Sequence, residues 1–362
     1  MVLIADNLFS SIFSDIQHFS KSYDKGIYPN PINEVRDMVS VKFAIPKGSI
    51  EEPTFRFIEQ AYFSVHGKGR TYRVTINDPE IHMKLLRPQE IPTYVQEGLY
   101  DVGITGKDWI RETNADVKTL ADLEYGWVKL IIAVPKAAAY SSLSDMINYF
   151  ATNGKTLRVS TEYLRISASH IKQNDAYKKH FGDVEPTVIT PWARNGKNDK
   201  VQILLSFGAT EAKPPEDTDA IVDITETGTT LEQNNLKPIE TIMESTAVLI
   251  ANKKSLEESR KKEKIYDILS LLKGVVDSRK KLHIFVNVKK EYLNELMSSL
   301  PALKRPTVSP LSEEGWYSVN TVINKDDFVK IIPTLRRLAQ GLVVHEPRQI
   351  LPLEEIKQDE ES

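Results

Sequence analysis

The sequence predicts an α/β protein with two lobes around a cleft and a smaller, separate α+β module at its C-terminal end. From Val41 onward, short apolar strands alternate with helical segments, a pattern typical of βαβ units around a parallel sheet. Two strands of similar composition, "VKLIIAVPK" and "STAVLIANK", flank a second such block, so we expect the chain to leave the first lobe and return to it. At 362 residues, the chain is long enough for two or three domains.

Composition is typical of a globular protein and excludes several kinds of site. Hydrophobic residues make up 41% and charged residues 27%, and the net charge of −3 predicts no nucleic-acid partner. The absence of cysteine excludes disulfides, thiolate metal sites and a cysteine nucleophile, and the seven histidines never fall in an H-x-x-x-H or H-x-x-E-H pattern. Because the N-terminus is a poor signal peptide and no apolar run approaches about 18 residues, we expect a cytoplasmic protein with no membrane partner.

The elements of the first lobe follow from its apolar runs and helix start signals. After the first strand, "VKFAIP", we predict a helix with Ser49 as N-cap and Glu52 as its capping-box partner. A second helix opens at "RPQEIPTYVQEGL" with Pro88 in its first turn, and "KDWIRET" is a third. The other predicted strands are "RTYRVTI", "IHMKLL", "DVGITG", which ends in a turn, and "VKLIIAVPK".

The second block and the tail complete the predicted organisation. "TLRVST", "VQILLSF" and "DAIVDIT" are predicted strands, "SASHIKQNDAYKKHFG" a helix, and the charged run near residue 260 a long helix with a solvated face. The tail has a β-α-β-β-α-β-like order that suits a ferredoxin-like module with a regulatory or oligomerising role. We divide the chain into an N-terminal arm (1–40) that packs on the body or on another subunit, a first lobe (41–135 and 241–280), a second lobe (136–240) and a C-terminal domain (281–357).

The segment "TETGTT" lies between an apolar strand and a polar helix start, and it is a candidate phosphate loop. Gly228 allows a turn that a β-carbon would hinder, and backbone amides at the start of the helix could converge on one anion. The hydroxyls of Thr227, Thr229 and Thr230 add donors, so a terminal phosphate monoester fits best. The alternative is a plain strand–helix turn with a threonine N-cap, and the loop alone favours neither.

Acidic and basic side chains accompany this loop at other predicted strand ends. Asp223 ends the preceding strand, where it could hold sugar hydroxyls, and Glu226 within the loop makes sense beside a phosphate if Mg²⁺ is present. In the first lobe, four cations follow or flank three predicted strands: Lys47, Arg70, Arg73 and Arg87. Each alone would be interpreted as a surface charge, but together they could bind a polyphosphate. No Ser-His-Asp set or flavin fingerprint stands out, so phosphoryl or phosphoribosyl chemistry fits best.

Six segments, in order along the chain, resemble ATP phosphoribosyltransferase, the first enzyme of histidine biosynthesis. They are "AIPKGSIEE", "RTYRVTINDPEI", "KLLRPQEIPTYVQEGLYDVGITGKDW", "SFGATEAKPP", "DAIVDITETGTTLEQNNLKPIET" and "RPTVSPLSEEGWYSV". The resemblance runs from about Val41 to about Pro352, and the tail looks like the C-terminal module of the long, self-regulated form. It implies a two-lobed, periplasmic-binding-protein-like catalytic core with an ACT-like regulatory module. The implied reaction joins ATP and phosphoribosyl pyrophosphate (PRPP), with Mg²⁺, to give phosphoribosyl-ATP and pyrophosphate.

The resemblance also implies roles for individual residues. The PRPP loop, which would hold the ribose 5-phosphate, comprises Thr225, Glu226, Thr227, Gly228, Thr229 and Thr230. Asp223 would bind the ribose hydroxyls directly or through Mg²⁺, with Glu226 as a second candidate metal ligand. Arg70 and Arg87 match arginines that would stabilise the departing pyrophosphate, and Lys47 would help to bind phosphates. Second-rank candidates near the cleft are Gly48, Gly106, Glu162, Tyr163 and Glu211.

The tail implies feedback inhibition by histidine, bound between the tail modules of neighbouring subunits. Thr307 and the "PTVSPL" turn are the expected contacts, and Arg305 stands where a small residue, often serine, is expected. The forty-residue arm is longer than is usual in the family. Because the family interconverts between dimers and hexamers, we expect self-association.

Two other functions fit parts of the pattern. A two-lobed cleft with two crossovers is also the plan of periplasmic solute-binding proteins and of effector domains of transcription factors. The lack of a signal peptide argues against the first, the lack of a helix-turn-helix pattern argues against the second, and the phosphate loop argues against both. The second alternative keeps the enzyme but makes its tail a purely structural oligomerisation module.

Overall fold

The computed structural model describes residues 40–69, 71–301 and 306–351. Residues 1–39 of the predicted N-terminal arm and the candidates Arg70 and Arg305 lie outside these residues. In the part of the chain that is described, no helix is both long and apolar enough to cross a membrane.

The first lobe is a six-stranded sheet covered by helices. Its strands run in the order β2-β3-β1-β4-β13-β5, with β1 parallel to β3 and β4, and with β13 antiparallel to β4 and β5. The strands are β1 (Val41–Pro46), β2 (Arg73–Val74), β3 (Ile81–Leu86), β4 (Val102–Gly106), β5 (Lys118–Asp122) and β13 (Ala247–Ala251). The helices are α1 (Glu51–Gln60), α2 (Ile91–Gln96), α3 (Lys107–Thr113) and α8 (Ser259–Arg279).

The second lobe is a seven-stranded sheet in the order β12-β6-β11-β7-β10-β8-β9. Strands β7, β8, β10 and β11 are parallel, so their carboxyl ends share one edge. The strands are β6 (Val128–Pro135), β7 (Leu157–Thr161), β8 (Pro186–Thr190), β9 (Ala193–Asn195), β10 (Asn198–Leu205), β11 (Ala220–Thr225) and β12 (Leu236–Ser245). The helices are α4 (Leu143–Thr152), α5 (Leu164–Gln173), α6 (Asp175–Phe181), a 3₁₀ turn (Thr210–Ala212) and α7 (Thr229–Gln233).

The C-terminal module has the ferredoxin-like topology that the tail predicts. Its sheet order is β15-β16-β14-β17, in which the first strand of the module pairs with the third and the fourth. The elements are β14 (Lys281–Lys289), α9 (Lys290–Ser299), β15 (Thr307–Pro310), β16 (Trp316–Asn324), α10 (Lys325–Leu338) and β17 (Ala339–His345). Each of the three units has its own apolar cluster, so each buries a separate core.

The crossovers between the lobes lie elsewhere than the sequence predicts. Strand β6 pairs with β11 and β12 inside the second sheet, although its apolar composition placed it in the first lobe. The chain therefore crosses between Asp122 and Val128, and returns between Ser245 and Ala247, rather than at 135/136 and 240/241. A strand buried on both faces has the same composition in either sheet, so composition could not assign it.

Several local predictions were wrong at element ends. Helix α1 begins after Ile50, not Ser49, and its N-cap residue makes no side-chain cap. The Glu51 carboxylate, not Glu52, turns back and accepts from the Gly48 amide at 3.3 Å. Pro88 lies in a turn before α2, whose early proline is Pro92. Strand β4 passes straight into α3 without the expected turn.

Two further segments differ from prediction in the second lobe and the tail. The predicted single helix after β7 is two helices, because Asn174 takes an extended conformation and its side chain caps α6 by accepting from the Ala176 amide. The predicted "PTVSPL" turn is largely the edge strand β15, which pairs with β16.

Candidate active site

The predicted phosphate loop forms a tight, exposed turn between β11 and α7. Gly228 adopts φ +83°, the left-handed region that favours glycine, and its amide donates to the Thr225 hydroxyl at 2.9 Å. The hydroxyls of Thr227 and Thr229 lie 2.9 Å apart, so they form a small group of donors and acceptors at the mouth of the turn. Thr229 and Thr230 begin α7, whose N-cap residue is Gly228, and the Thr227 hydroxyl accepts from the Thr229 amide at 3.5 Å. The N-cap is therefore a glycine and not the threonine of the alternative interpretation.

Asp223 lies just before this loop among other carboxylates. Its side chain accepts from the Ile224 amide at 2.7 Å. Burial, and then the charges of Glu211 and Glu162, raise the pKa of Asp223 to about 6 against the opposing effect of that hydrogen bond. Glu162 follows β7 and Glu211 lies in the 3₁₀ turn after β10, so the three acids stand at the shared carboxyl edge of the parallel strands.

Lys47, Gly48 and Arg87 come together in the first lobe. Strands β1 and β3 are paired in parallel up to Pro46 and Leu86, so the residues that follow them are neighbours. A β-carbon on Gly48 would stand 3.7 Å from Nη1 of Arg87, and Gly48 has φ +114°. Lys47 lies 4.6 Å above the Tyr72 ring and 4.0 Å from the Glu51 carboxylate. The structure thus brings two of the predicted cations together and adds Tyr72, which the sequence did not single out.

Gln89 connects this cationic group to the acidic group of the second lobe. Its amide donates to the Glu162 carboxylate at 3.1 Å. Its side-chain oxygen is buried, and no donor reaches it among the described residues. The carboxyl edges of the two sheets therefore face each other across the cleft. Arg87 lies two residues before Gln89 in the chain. No sequence pattern marked Gln89.

Two second-rank candidates are buried away from the cleft surface. Tyr163 is 2% exposed, and its hydroxyl donates to Asp108 at 2.7 Å. Gly106 lies in buried β4, where a β-carbon would stand 2.0 Å from the Asp108 carboxylate. Both residues therefore pack against Asp108, a contact that the sequence did not predict.

The remaining candidates lie at separate places. Glu226 is exposed in the loop, and Thr307 is exposed at the start of edge strand β15, in the C-terminal module. No group of three or more His, Asp or Glu side chains in the described ranges could hold a metal ion unaided. The half-buried Asp223 carboxylate nevertheless fits Mg²⁺, which binds carboxylate oxygens and fills its other positions with water and phosphate oxygens.

Family models match both parts of the chain. The model described as "ATP phosphoribosyltransferase" matches residues 87–274, and the model described as "HisG, C-terminal domain" matches residues 278–346. The chain is 37% identical over 312 residues to an ATP phosphoribosyltransferase of Solibacter usitatus, covering 85% of this chain and 97% of the relative. It is 36% identical over 314 residues to one of Pelotomaculum thermopropionicum, covering 85% and 98%.

Solved structures show more distant similarity. A chain of the ATP phosphoribosyl transferase (HisG:HisZ) complex from Thermotoga maritima is 22% identical, with a TM-score of 0.49 over 64% of this chain and 96% of that one. The arginine-bound form of truncated ArgBP from T. maritima is 10% identical, with a TM-score of 0.38 over 67% and 99%.

Proposed function

The chain belongs to the ATP phosphoribosyltransferase family, the enzymes of the first step of histidine biosynthesis, and from this premise we propose its reaction in detail. The protein transfers the phosphoribosyl group of PRPP to N1 of ATP in the cytoplasm. The N1 lone pair forms the bond to the anomeric carbon, while the bond to pyrophosphate breaks and its electron pair leaves with pyrophosphate. The transition state resembles an oxocarbenium ion.

The arrangement of the phosphate loop and Asp223 opposite Lys47 and Arg87 supports this reaction most strongly. The loop offers hydroxyl donors for the 5-phosphate, and Gly228 allows the backbone to turn around it. Asp223, which precedes the loop, holds the ribose hydroxyls. One end of PRPP is therefore bound in the second lobe, while its pyrophosphate points toward the first.

Lys47 and Arg87 stabilise the negative charge that develops on departing pyrophosphate. Arg87 provides a planar group for two phosphate oxygens, and Lys47 provides a point charge. Their positions directly after the paired strands β1 and β3 support joint action on one polyanion. Arg70 is proposed to join them on the strength of the sequence resemblance alone, because it lies outside the described residues. No catalytic base is required, since the attacking ring nitrogen of adenine is neutral.

Mg²⁺ is the proposed cofactor, held by Asp223 together with the substrate, with Glu226 as a second candidate ligand. When bound, the ion neutralises phosphate charge and helps to orient PRPP. The raised pKa of Asp223 supports the assignment, because a nearby cation would relieve the mutual repulsion of Asp223, Glu162 and Glu211.

Gln89 is a proposed contact for ATP. Its buried side-chain oxygen has no donor among the described residues, and the exocyclic amino group of adenine is a donor beside the reacting N1. A hydrogen bond between them would orient N1 toward the ribose that Asp223 holds.

The C-terminal module is the proposed site of histidine feedback. Histidine would bind at Thr307 and Arg305 between modules of neighbouring subunits, and the subunits would interconvert between dimers and hexamers. The exposure of edge strand β15 supports its availability to a partner.

The position of the new bond provides a direct test of the proposed reaction. The protein is incubated with Mg²⁺, PRPP and ATP carrying ¹⁵N at N1, and the product is analysed by mass spectrometry and by ¹⁵N–¹³C coupling to labelled ribose. We expect N1 to be coupled to the anomeric carbon. Release of ribose 5-phosphate and pyrophosphate without a nucleotide adduct would show hydrolysis and would refute the transfer.

A further inference from the structure

Helix α3 belongs to the first lobe by sequence order, yet its side chains contact the second. The Trp109 ring stacks on Tyr163 at 4.4 Å and 23°, and it packs against the apolar core of the second lobe. The Glu112 carboxylate accepts from the amides of Arg165 and Ile166 at 2.8 and 2.9 Å, in the first turn of α5. One short helix therefore fixes its own lobe to the start of α5.

Asp108 is the centre of this contact. It is 3% exposed, and one carboxylate oxygen accepts from the Tyr163 hydroxyl at 2.7 Å. The other oxygen accepts from the hydroxyl of Ser245, which also accepts from the Asp108 amide at 3.2 Å. Gly106 leaves the room for this carboxylate, since a β-carbon there would overlap it. A buried charge with strong partners on both oxygens is costly to expose or to leave unpaired.

The same region joins both crossovers between the lobes. Ser245 ends β12 at the returning crossover, and the next residue, Thr246, donates to Asp122 at the end of β5, where the outgoing crossover begins. Lys107 pairs with Asp122 at 2.5 Å, and its amide donates to the Thr246 carbonyl. A hinge rotation about the two crossovers would have to break the contacts of Asp108 with the second lobe.

We propose that Asp108 is a positioning residue that, through Tyr163, fixes the angle between the two lobes, so that the cleft is held in its reactive shape rather than closed by hinge rotation. The inference rests on the proposed function, because the fixed angle is what keeps Lys47 and Arg87 opposite Asp223. The bond between Asp108 and Tyr163 would also position Glu162, which precedes Tyr163 in the chain and accepts from Gln89 across the cleft.

The first test removes the hydrogen bond between Tyr163 and Asp108 from either end. Tyr163→Phe should lower kcat/KM about tenfold, mainly through kcat, and Asp108→Ala, which also removes the contact with Ser245, should lower it at least as much. The double variant should lose no more than about twofold beyond Asp108→Ala, because the Tyr163 hydroxyl no longer has this partner in either. Tyr177→Phe is the matched control. Tyr177 is as buried in the second lobe, and its hydroxyl donates to the Val184 carbonyl and accepts from the Asn198 amide. Both partners of this hydroxyl belong to the second lobe, so kcat/KM should stay within about twofold.

The second test measures the angle between the lobes without using activity. Because the chain has no cysteine, Thr93→Cys and Lys179→Cys give one exposed spin-label site in each lobe for pulsed electron resonance distances. We expect one narrow distance distribution, the same with and without Mg²⁺ and PRPP, and a broader or shifted one after Tyr163→Phe. Ser245→Ala is a second variant, with folding checked by circular dichroism.

The distance measurement tests the fixed angle between the lobes even if the protein shows no transferase activity. A distribution that shifts when Mg²⁺ and PRPP bind to the parent protein, or one that is unchanged by Tyr163→Phe and Ser245→Ala, overturns the proposal. An absence of any transferase activity would instead refute the proposed function and leave the distances to be judged separately.

Discussion

Gln89 of the first lobe donates a hydrogen bond of 3.1 Å to Glu162 of the second, and this contact joins the two lobes at the candidate active site. On one side of it stand the cations Lys47 and Arg87. On the other stand Asp223 and the loop around Gly228. We propose that the cations bind the pyrophosphate of PRPP and that the hydroxyls of the loop bind its 5-phosphate.

Arg87→Ala should reduce kcat/KM at least tenfold, corresponding to about 1.4 kcal/mol of lost transition-state stabilisation, because the charge on departing pyrophosphate would lose its bidentate partner. Arg56→Ala is the control, since Arg56 is an exposed arginine of the same lobe that pairs only with Glu52 at 3.4 Å among the described residues. Steady-state kinetics for both substrates provide the measurement. A change of less than about threefold for Arg87→Ala means that its assigned role is wrong.

Gly228→Val should abolish PRPP binding while the fold is kept. A β-carbon at Gly228 meets open space, so the expected effect comes from the backbone, which a branched residue would drive out of the left-handed region at a cost of about 1–2 kcal/mol. Gly154→Val is the matched control, because Gly154 also has a positive φ (+63°) and also faces open space. Gly154 follows α4 and is not part of the loop around Gly228. Calorimetric titration with PRPP should fail only for the Gly228 variant, and unchanged PRPP titration of that variant would remove the phosphate-loop assignment.

The strand–turn–helix geometry of this loop could be predicted from the sequence because a strand, a glycine turn and a helix start are all local features. Parallel strand ends could likewise be placed at one edge from the βαβ pattern, which is why Lys47, Arg87 and Asp223 could be placed at strand ends, while their roles remain proposals. Asp108 and Gln89 were missed, since their partners lie 55 and 73 residues away in the chain and a single sequence has no signal for such pairs. Tyr163 was predicted at the cleft because the sequence gives no signal of its bond to Asp108, which turns its hydroxyl inward.

Asp223→Asn should stabilise the protein at neutral pH but not in acid. Burial, and then the charges of Glu211 and Glu162, raise the pKa of Asp223 from 3.8 to about 6, so the folded state resists ionisation of this group. Ionisation of Asp223 therefore lowers the free energy of unfolding of the parent protein. This loss grows as pH rises from about 4 to about 6 and then stays constant, at about 3 kcal/mol. Denaturant unfolding at pH 4 and pH 7.5 should show the variant gaining stability over the parent only at the higher pH.

A control separates this effect from the general charge of the loop. Glu226→Gln removes an exposed carboxylate of the same loop, and its effect on the free energy of unfolding should differ little between the two pH values. If the difference between Asp223→Asn and the parent is also independent of pH, the proposed burial of charge at Asp223 is refuted.

Thr307→Ala should raise the half-inhibitory concentration of histidine about tenfold, as expected for the loss of one hydrogen bond in a largely desolvated contact. Thr307 pairs with Asn320 on the sheet face away from the buried Val319, whereas its neighbour Val308 pairs with Val319. Val308→Ala should therefore leave the half-inhibitory concentration within about twofold. No inhibition of the parent protein by millimolar histidine, and no heat on titration, would favour a purely structural module.

The most direct test of the central claim is the formation of phosphoribosyl-ATP from ATP, PRPP and Mg²⁺, followed by its absorbance and by release of pyrophosphate. We predict equal amounts of the two products, formed only when both substrates and Mg²⁺ are present, and less of both when histidine is added. No phosphoribosyl-ATP under any of these conditions would contradict the account.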